Sequence, residues 1–152
     1  LVASLADAGV APGTNVYAEL GSTWRNLMSR PTEAAHALGK LLVACGPDNV
    51  LWGTDSIWYG SPQDQIEAFR AFEITEAFQE QYGYPALSDE VKAKILGGNA
   101  ARLHGIELGA LPCPFTREEL RAMRDTVPTA HLTLGPTDPD QIARHLAAHG
   151  AA

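Results

Sequence analysis

Cysteine is scarce. Two occur in 152 residues, Cys45 and Cys113, too few for a disulfide framework. Cys45 closes an apolar helical stretch, which reads as a buried free thiol. Clusters of positive charge are also missing. Lys and Arg total 11 against 18 Asp and Glu, a formal net charge of -7, and the basic residues are scattered. That leaves no phosphate-binding footprint and argues against a nucleic-acid partner. No apolar run approaches the roughly 18 residues that a bilayer span needs, so no membrane role is expected. Charged and polar residues break up the opening stretch, which therefore lacks the form of a signal peptide. No Gly-rich phosphate loop is present, because Gly97-Gly98 lies in helical sequence with no strand before it. There are no internal repeats or low-complexity tracts. The compartment expected by default is the cytoplasm. The first residue is Leu1 rather than Met, so the reading allows for a removed start or an excerpt of a longer chain.

What is present is globular in character. Hydrophobic residues make up 45% of the chain and charged residues 19%, enough for one ordinary domain with a core. Leu1 to Ala8, stopped by Gly9 and the Pro12-Gly13 turn, reads as the tail of a helix. Asn15-Val16-Tyr17-Ala18-Glu19-Leu20-Gly21 reads as a short strand. Pro31 opens a helix whose apolar stripe is Ala34, Ala35, Leu38, Leu41 and Leu42, with Gly46-Pro47 as its stop. Asn49 to Asp55 reads as a second strand. It is apolar until its last two residues, as suits a strand covered on both faces in a parallel sheet. Helix, strand, helix, strand, helix is the β/α order of that class.

Beyond it, Ser61 caps a helix beginning at Pro62, with Ile66, Phe69 and Phe72 inward. A short helix spans about Glu76 to Tyr82. Ser88 caps another, which buries Val91, Ile95 and Leu96 and is interrupted at Gly97-Gly98. Asn99 to Leu103 adds a final turn before Gly105. Thr116-Arg117-Glu118-Glu119 is a capping box for a helix to about Arg124. Residues 127–137 read as loop, and Asp138-Pro139-Asp140-Gln141 as the cap of a last helix with Ile142 and Leu146 inward.

Chemistry is concentrated at Gly53-Thr54-Asp55-Ser56, where the second strand ends. In a β/α barrel, polar residues at that end of a strand face the active site. A carboxylate there can hold a metal and accept a proton from the water that the metal activates. The local pattern serves equally well a plainer reading, in which Asp55 caps the following turn. Glu19 lies within the first strand, on a side the sequence leaves open.

Asn49-Val50-Leu51-Trp52-Gly53-Thr54-Asp55-Ser56, followed by Gly98-Asn99-Ala100-Ala101-Arg102-Leu103-His104-Gly105-Ile106, resembles the end of the amidohydrolase-related family. Its members are metal-dependent hydrolases and decarboxylases on a (β/α)8 barrel. The resemblance covers about Asn15 to Ile106. It implies that Asn15 to Gly21 is the seventh strand, that Asp55 ends the eighth as a catalytic and metal-binding residue, and that Asn99 to Leu103 lies in a structural closing helix. The fold class expected is α/β, a C-terminal fragment of a TIM-like barrel comprising its last two β/α units. Residues 1–108 would form that partial barrel and 109–152 an extension of helix and loop.

The cofactor implied is a divalent metal, zinc by preference, whose other ligands this chain lacks. The family's His-x-His strand and its middle strands are not present. Of the five histidines, His36 is on the helix between the strands, His104 follows the closing helix and His131 is in a loop. His145 and His149 stand four apart on the last helix, without the third ligand a catalytic zinc takes, and read as a solvated face. Ser22, Thr23, Trp24 and Arg25 after the first strand, and Ser56, Trp58 and Tyr59 after the second, are the expected contacts to a small-molecule substrate.

The function expected is hydrolysis or decarboxylation of a small organic substrate through a metal-activated water. The alternative is a non-catalytic interaction or structural domain. Two parallel strands cannot close a barrel, so a preceding barrel segment or a partner chain is expected to complete the sheet. The isolated chain is expected to bind zinc weakly and to be inactive.

Overall fold

Glycine and proline set most element boundaries in the computed structural model, which describes residues 1–110 and 114–126. Helix α1 spans Val2–Asp7. Strand β1 is Ala18–Glu19, followed by α2, Gly21–Leu27, and α3, Pro31–Cys45. Pro31 occupies the first turn of α3 and Gly46, with φ of 83°, ends it. A 3-10 turn at Pro47–Asn49 leads into strand β2, Val50–Leu51. Then come α4 (Ser56–Tyr59), α5 (Gln63–Ala71), α6 (Glu76–Tyr82), α7 (Asp89–Ala93), α8 (Asn99–His104) and α9 (Arg117–Thr126).

The two strands pair in parallel, with Ala18 opposite Val50 and Glu19 opposite Leu51. One more ladder bond follows, from Leu20 N–H to Leu51 O at 3.0 Å. The ladder is shorter than the seven-residue strands that the sequence suggests, for identifiable reasons. At its entrance Asn49 has turned into the 3-10 segment, and its side-chain amide donates to Thr14 O (2.6 Å) and Val16 O (2.9 Å) instead. At its exit Gly21 already belongs to α2, and Asp55 leaves β geometry altogether.

Side chains alternate across a strand, so Ala18, Leu20 and Val50 share one face. All three are buried. Helices cover that face through a cluster that includes Trp24, Leu38, Leu42, Phe69, Ile74, Tyr84, Leu87 and Ile95. Trp24 meets Phe69 edge-on, ring centroids 5.1 Å apart, and Phe69 meets Trp52 at 5.0 Å. A smaller cluster of Leu5, Ala18 and Cys45 seals α1 against the sheet. The opposite face, carrying Glu19 and Leu51, is exposed at Glu19 and half-buried at Leu51. The expectation of two covered faces is therefore not met among the described residues.

Other boundaries follow local chemistry closely. Thr75 and Ser88 cap α6 and α7 through their hydroxyls, and Gly83 ends α6 in the left-handed conformation. Helix α5 starts one residue later than the sequence suggests, with Pro62 rather than Ser61 at its N-cap. Ser61 stands one residue before that cap, and its hydroxyl accepts from Gln63 N–H. Gly97-Gly98 does not interrupt the chain's helical course. The residues Lys94–Gly98 form a π-type turn joining α7 to α8. The capping box at Thr116 and Glu119 is reciprocal, the hydroxyl accepting from Glu119 N–H and the carboxylate from Thr116 N–H. The remaining expectations, the loop 127–137, the last helix with Ile142 and Leu146, and Cys113, lie outside the described residues.

Tyr84 packs directly onto Gly39 of α3. A Cβ at residue 39 would overlap the Tyr84 ring. Helix propensity favours Ala over Gly by about 1 kcal/mol, whereas overpacking costs about 1–3 kcal/mol. The ring cannot retreat freely, because its hydroxyl is 3.0 Å from His36 Nδ1. We expect Gly39→Ala to destabilise the chain, read as a lower urea midpoint. A raised midpoint would mean that propensity wins and the contact is soft.

Candidate functional site

Glu19 lies opposite Leu51 on the open face of the pair, and past the ladder Gly53 and Gly21 stand against its carboxylate, with the Asp55 carboxylate beside Gly21. The carboxylates and glycines therefore gather on the face that the helices leave uncovered. Gly53 and Gly21 make room there. A Cβ at Gly53 would fall within bonding range of Glu19 Oε1, and one at Gly21 would lie 2.7 Å from Glu19 Oε2 and 3.2 Å from Asp55 Oδ2. Both carboxylates thus flank Gly21.

Asp55 is the terminus of this run and is conformationally distinct. Its φ of 49° and ψ of 34° are left-handed, and among the described residues it is the only non-glycine with positive φ. Such a conformation is accessible to Asp but costs about 1 kcal/mol or more. Thr54 is held on both sides: its carbonyl accepts from the Gln65 side-chain amide at 2.9 Å, and its hydroxyl from Ser56 N–H at 3.3 Å. The Asp55 carbonyl accepts from Trp58 N–H, which starts α4.

The Asp55 side chain makes no capping bond to α4. Its Oδ2 accepts the Ser22 hydroxyl at 2.5 Å instead. Ser22 Oγ also lies 3.0 Å from the Tyr59 hydroxyl, and the Arg25 guanidinium sits over the Tyr59 ring, 5.7 Å from its centroid. Ser22, Arg25, Asp55 and Tyr59 thus form one polar group joining α2 to α4. Ser56 adjoins it at the start of α4. The rim is apolar, with Trp58 76% and Ile57 85% exposed.

Not every expected residue joins this group. Thr23 is exposed and lines a cleft of about 300 Å³ at the other edge of β1, with Leu1, Val2, Ala18, Glu19 and Lys40 among its walls. Trp24 is 2% exposed, and its indole N–H donates to Gln65 O at 2.9 Å. Its ring is spent on the core, leaving no face for a substrate, because α2 starts at once after β1 and turns Trp24 inward. Two residues near the site carried no sequence signal of this arrangement. Gln65 looks like an ordinary helical polar residue until Thr54 is seen beside it, and the face taken by Glu19 is decided by which side of the sheet the helices cover.

A metal centre is not complete here. Among the described residues no three His, Cys, Asp or Glu come together. His36 is enclosed by aromatic rings, those of Tyr82 at 4.7 Å and Phe78 at 5.0 Å, and His104 is exposed. His131, His145 and His149 lie outside the described residues. A catalytic zinc takes about three protein ligands, so these donors do not fit one by themselves. Asp55 is at most a single ligand.

Residues 10–106 match the family described as Amidohydrolase. The chain belongs to the amidohydrolase family. The match ends at Ile106 and spans β1, β2 and the Asp55 group. Neither curated proteins nor solved structures yield a match. Two parallel strands with helices on one face are consistent with a portion of the barrel this family builds. Among the described residues no helix is long and apolar enough to cross a membrane.

Cys45 stands apart from this chemistry. It is buried between α1 and the sheet, and burial raises its thiol pKa above the ordinary value. Thiolate is the reactive form, so both access and ionisation work against reaction. In a Cys113→Ser background, we expect Cys45 to resist iodoacetamide at neutral pH and to react once urea unfolds the chain. Rapid alkylation of the folded chain would show that α1 opens readily.

Proposed function

We propose that Asp55 is the proton-handling carboxylate of an amidohydrolase active site that hydrolyses, or decarboxylates, a small organic substrate. The observation that carries this reading is the Ser22–Asp55 contact at the mouth of a parallel pair, made by an aspartate held in left-handed geometry. Unusual backbone conformations concentrate at functional sites because the surrounding structure has to enforce them. Here the enforcement is visible in the bonds to Thr54 and in the start of α4.

In this reading Ser22 occupies one oxygen, Oδ2, and fixes the carboxylate plane. Oδ1 then takes a proton from water as it attacks the substrate, or returns one to the product. Arg25, stacked on Tyr59, offers a positive charge to an acidic substrate group. Ser56 supplies a further polar contact, and Trp58 gives an apolar wall suited to a planar or hydrocarbon portion. The cofactor proposed is a divalent metal, zinc by preference, with the remaining ligands supplied from outside this chain. When bound, such an ion lowers the pKa of a coordinated water.

We also propose that a further strand of the enzyme, or of a partner chain, lies along the other edge of β1. This is supported by the one-sided pairing of β1 among the described residues and by the cleft beside it. An unpaired strand edge is otherwise a liability.

Asn tolerates left-handed geometry as Asp does, so Asp55→Asn removes the proton acceptor with little disturbance of the backbone. In the full-length enzyme we expect turnover to fall about 10²–10⁴-fold at an unchanged unfolding midpoint. Turnover would be screened on small amides, esters and unsaturated acids. Near-normal turnover in the variant would remove Asp55 from the chemistry.

A further inference from the structure

Glu19 has no assigned role in the reaction proposed above, yet its carboxylate is placed with unusual constraint. Oε1 accepts the Gly21 backbone N–H at 2.9 Å. The same oxygen occupies the space that a side chain at Gly53 would need. Gly21 itself has φ of 27°, a conformation that L side chains rarely adopt. The next residue is Ser22, whose hydroxyl reaches Asp55.

We infer that Glu19 is a positioning residue, fixing the first turn of α2 so that Ser22 holds Asp55. The inference rests on the reading of Asp55 as the working carboxylate. Helix α2 has no side-chain cap from its preceding residue, Leu20. The first N–H groups of a helix lack internal partners, and Glu19 satisfies that of Gly21 from inside the strand. A carboxylate makes this a charge-assisted bond, stronger than a neutral one. The glycine at residue 53 keeps the carboxylate's seat open. Two strands and one helix are thus tied at the point from which the Ser22 hydroxyl projects.

The role can be separated from simple helix capping by a spectroscopic reading of Asp55 itself. In the full 152-residue chain, labelled with 13C aspartate, the Asp55 carboxylate carbon shift is measured at neutral pH. Ser22→Ala defines the value for a lost contact. We expect Glu19→Ala to move the Asp55 signal most of the way to that value, and Glu19→Gln to leave it near the unmodified position. The carboxamide oxygen can still accept from Gly21 N–H, and both variants lose the same charge, so their difference isolates the acceptor.

Gly53→Ala offers an independent route, because it evicts the carboxylate without deleting it, and it should resemble Glu19→Ala. The double variant Glu19→Ala with Ser22→Ala should shift no further than Ser22→Ala alone, since both act on one contact. If Glu19→Ala and Glu19→Gln give the same Asp55 signal, or if the double variant adds a full second displacement, positioning through Ser22 is overturned. In the full-length enzyme the corresponding expectation is a loss in kcat of up to about 10²-fold for Glu19→Ala, with KM retained and Glu19→Gln close to normal. The carbon shift does not depend on turnover. A chemically idle Asp55 would therefore show itself through Asp55→Asn, leaving the test of the Glu19 contact intact.

Discussion

Three buried side-chain amides do for β2 what its short ladder cannot. Asn49 donates to Thr14 O and Val16 O, Asn99 to Pro47 O and Val50 O, and Gln65 to Thr54 O. A two-residue pairing alone would leave the strand free to slip or fray. The amides attach the residue before it to the segment ahead of β1, its first residue to α8 and the chain past its end to α5. Each bond contributes about 0.5–1.5 kcal/mol net, and removing a donor leaves a buried carbonyl at a cost of about 1–3 kcal/mol. The position of Asp55 depends on this framework, because Thr54 is the last residue held before the chain turns.

The structure shows how a carboxylate just past the end of a strand, rather than within it, comes to face a neighbouring helix. Inside β2 the side chains alternate between a packed face and an open one. Past Gly53 the backbone is released from that alternation, and left-handed Asp55 can aim its side chain sideways at α2. Contact is then made with Ser22, 33 residues away in sequence. The rigid elements supply position and the turn supplies direction, a division of labour common where loops on a scaffold carry function.

Legibility from sequence divided along the same line. Helix α3, bounded by Pro31 and Gly46, and the caps at Ser88 and Thr116 were readable because their determinants lie within a few residues. The strand ends were not, since Asn49 and Gly21 terminate pairing through partners that only the fold supplies. Asp55 could be singled out from its place after an apolar strand and from family resemblance. The contact to Ser22 could not, because it depends on how α2 leaves β1. Trp24 illustrates the converse: a residue two places past Ser22 points into the core, since successive helical positions turn by about a quarter circle or more. Glu19 required knowledge of which sheet face the helices cover, and alternation alone treats both faces alike.

The three tryptophans occupy three different surroundings. Trp24 is sealed in the core, Trp52 is half-buried against Phe69, and Trp58 stands 76% exposed on the rim beside Asp55. Indole emission moves to longer wavelength with exposure to water, so the chain's fluorescence divides into a steady blue component and a red one. The red component originates next to the carboxylate. A molecule settling against that rim would quench or blue-shift Trp58 while the core signal stays constant, giving the protein a built-in optical gauge of occupancy that needs no attached dye.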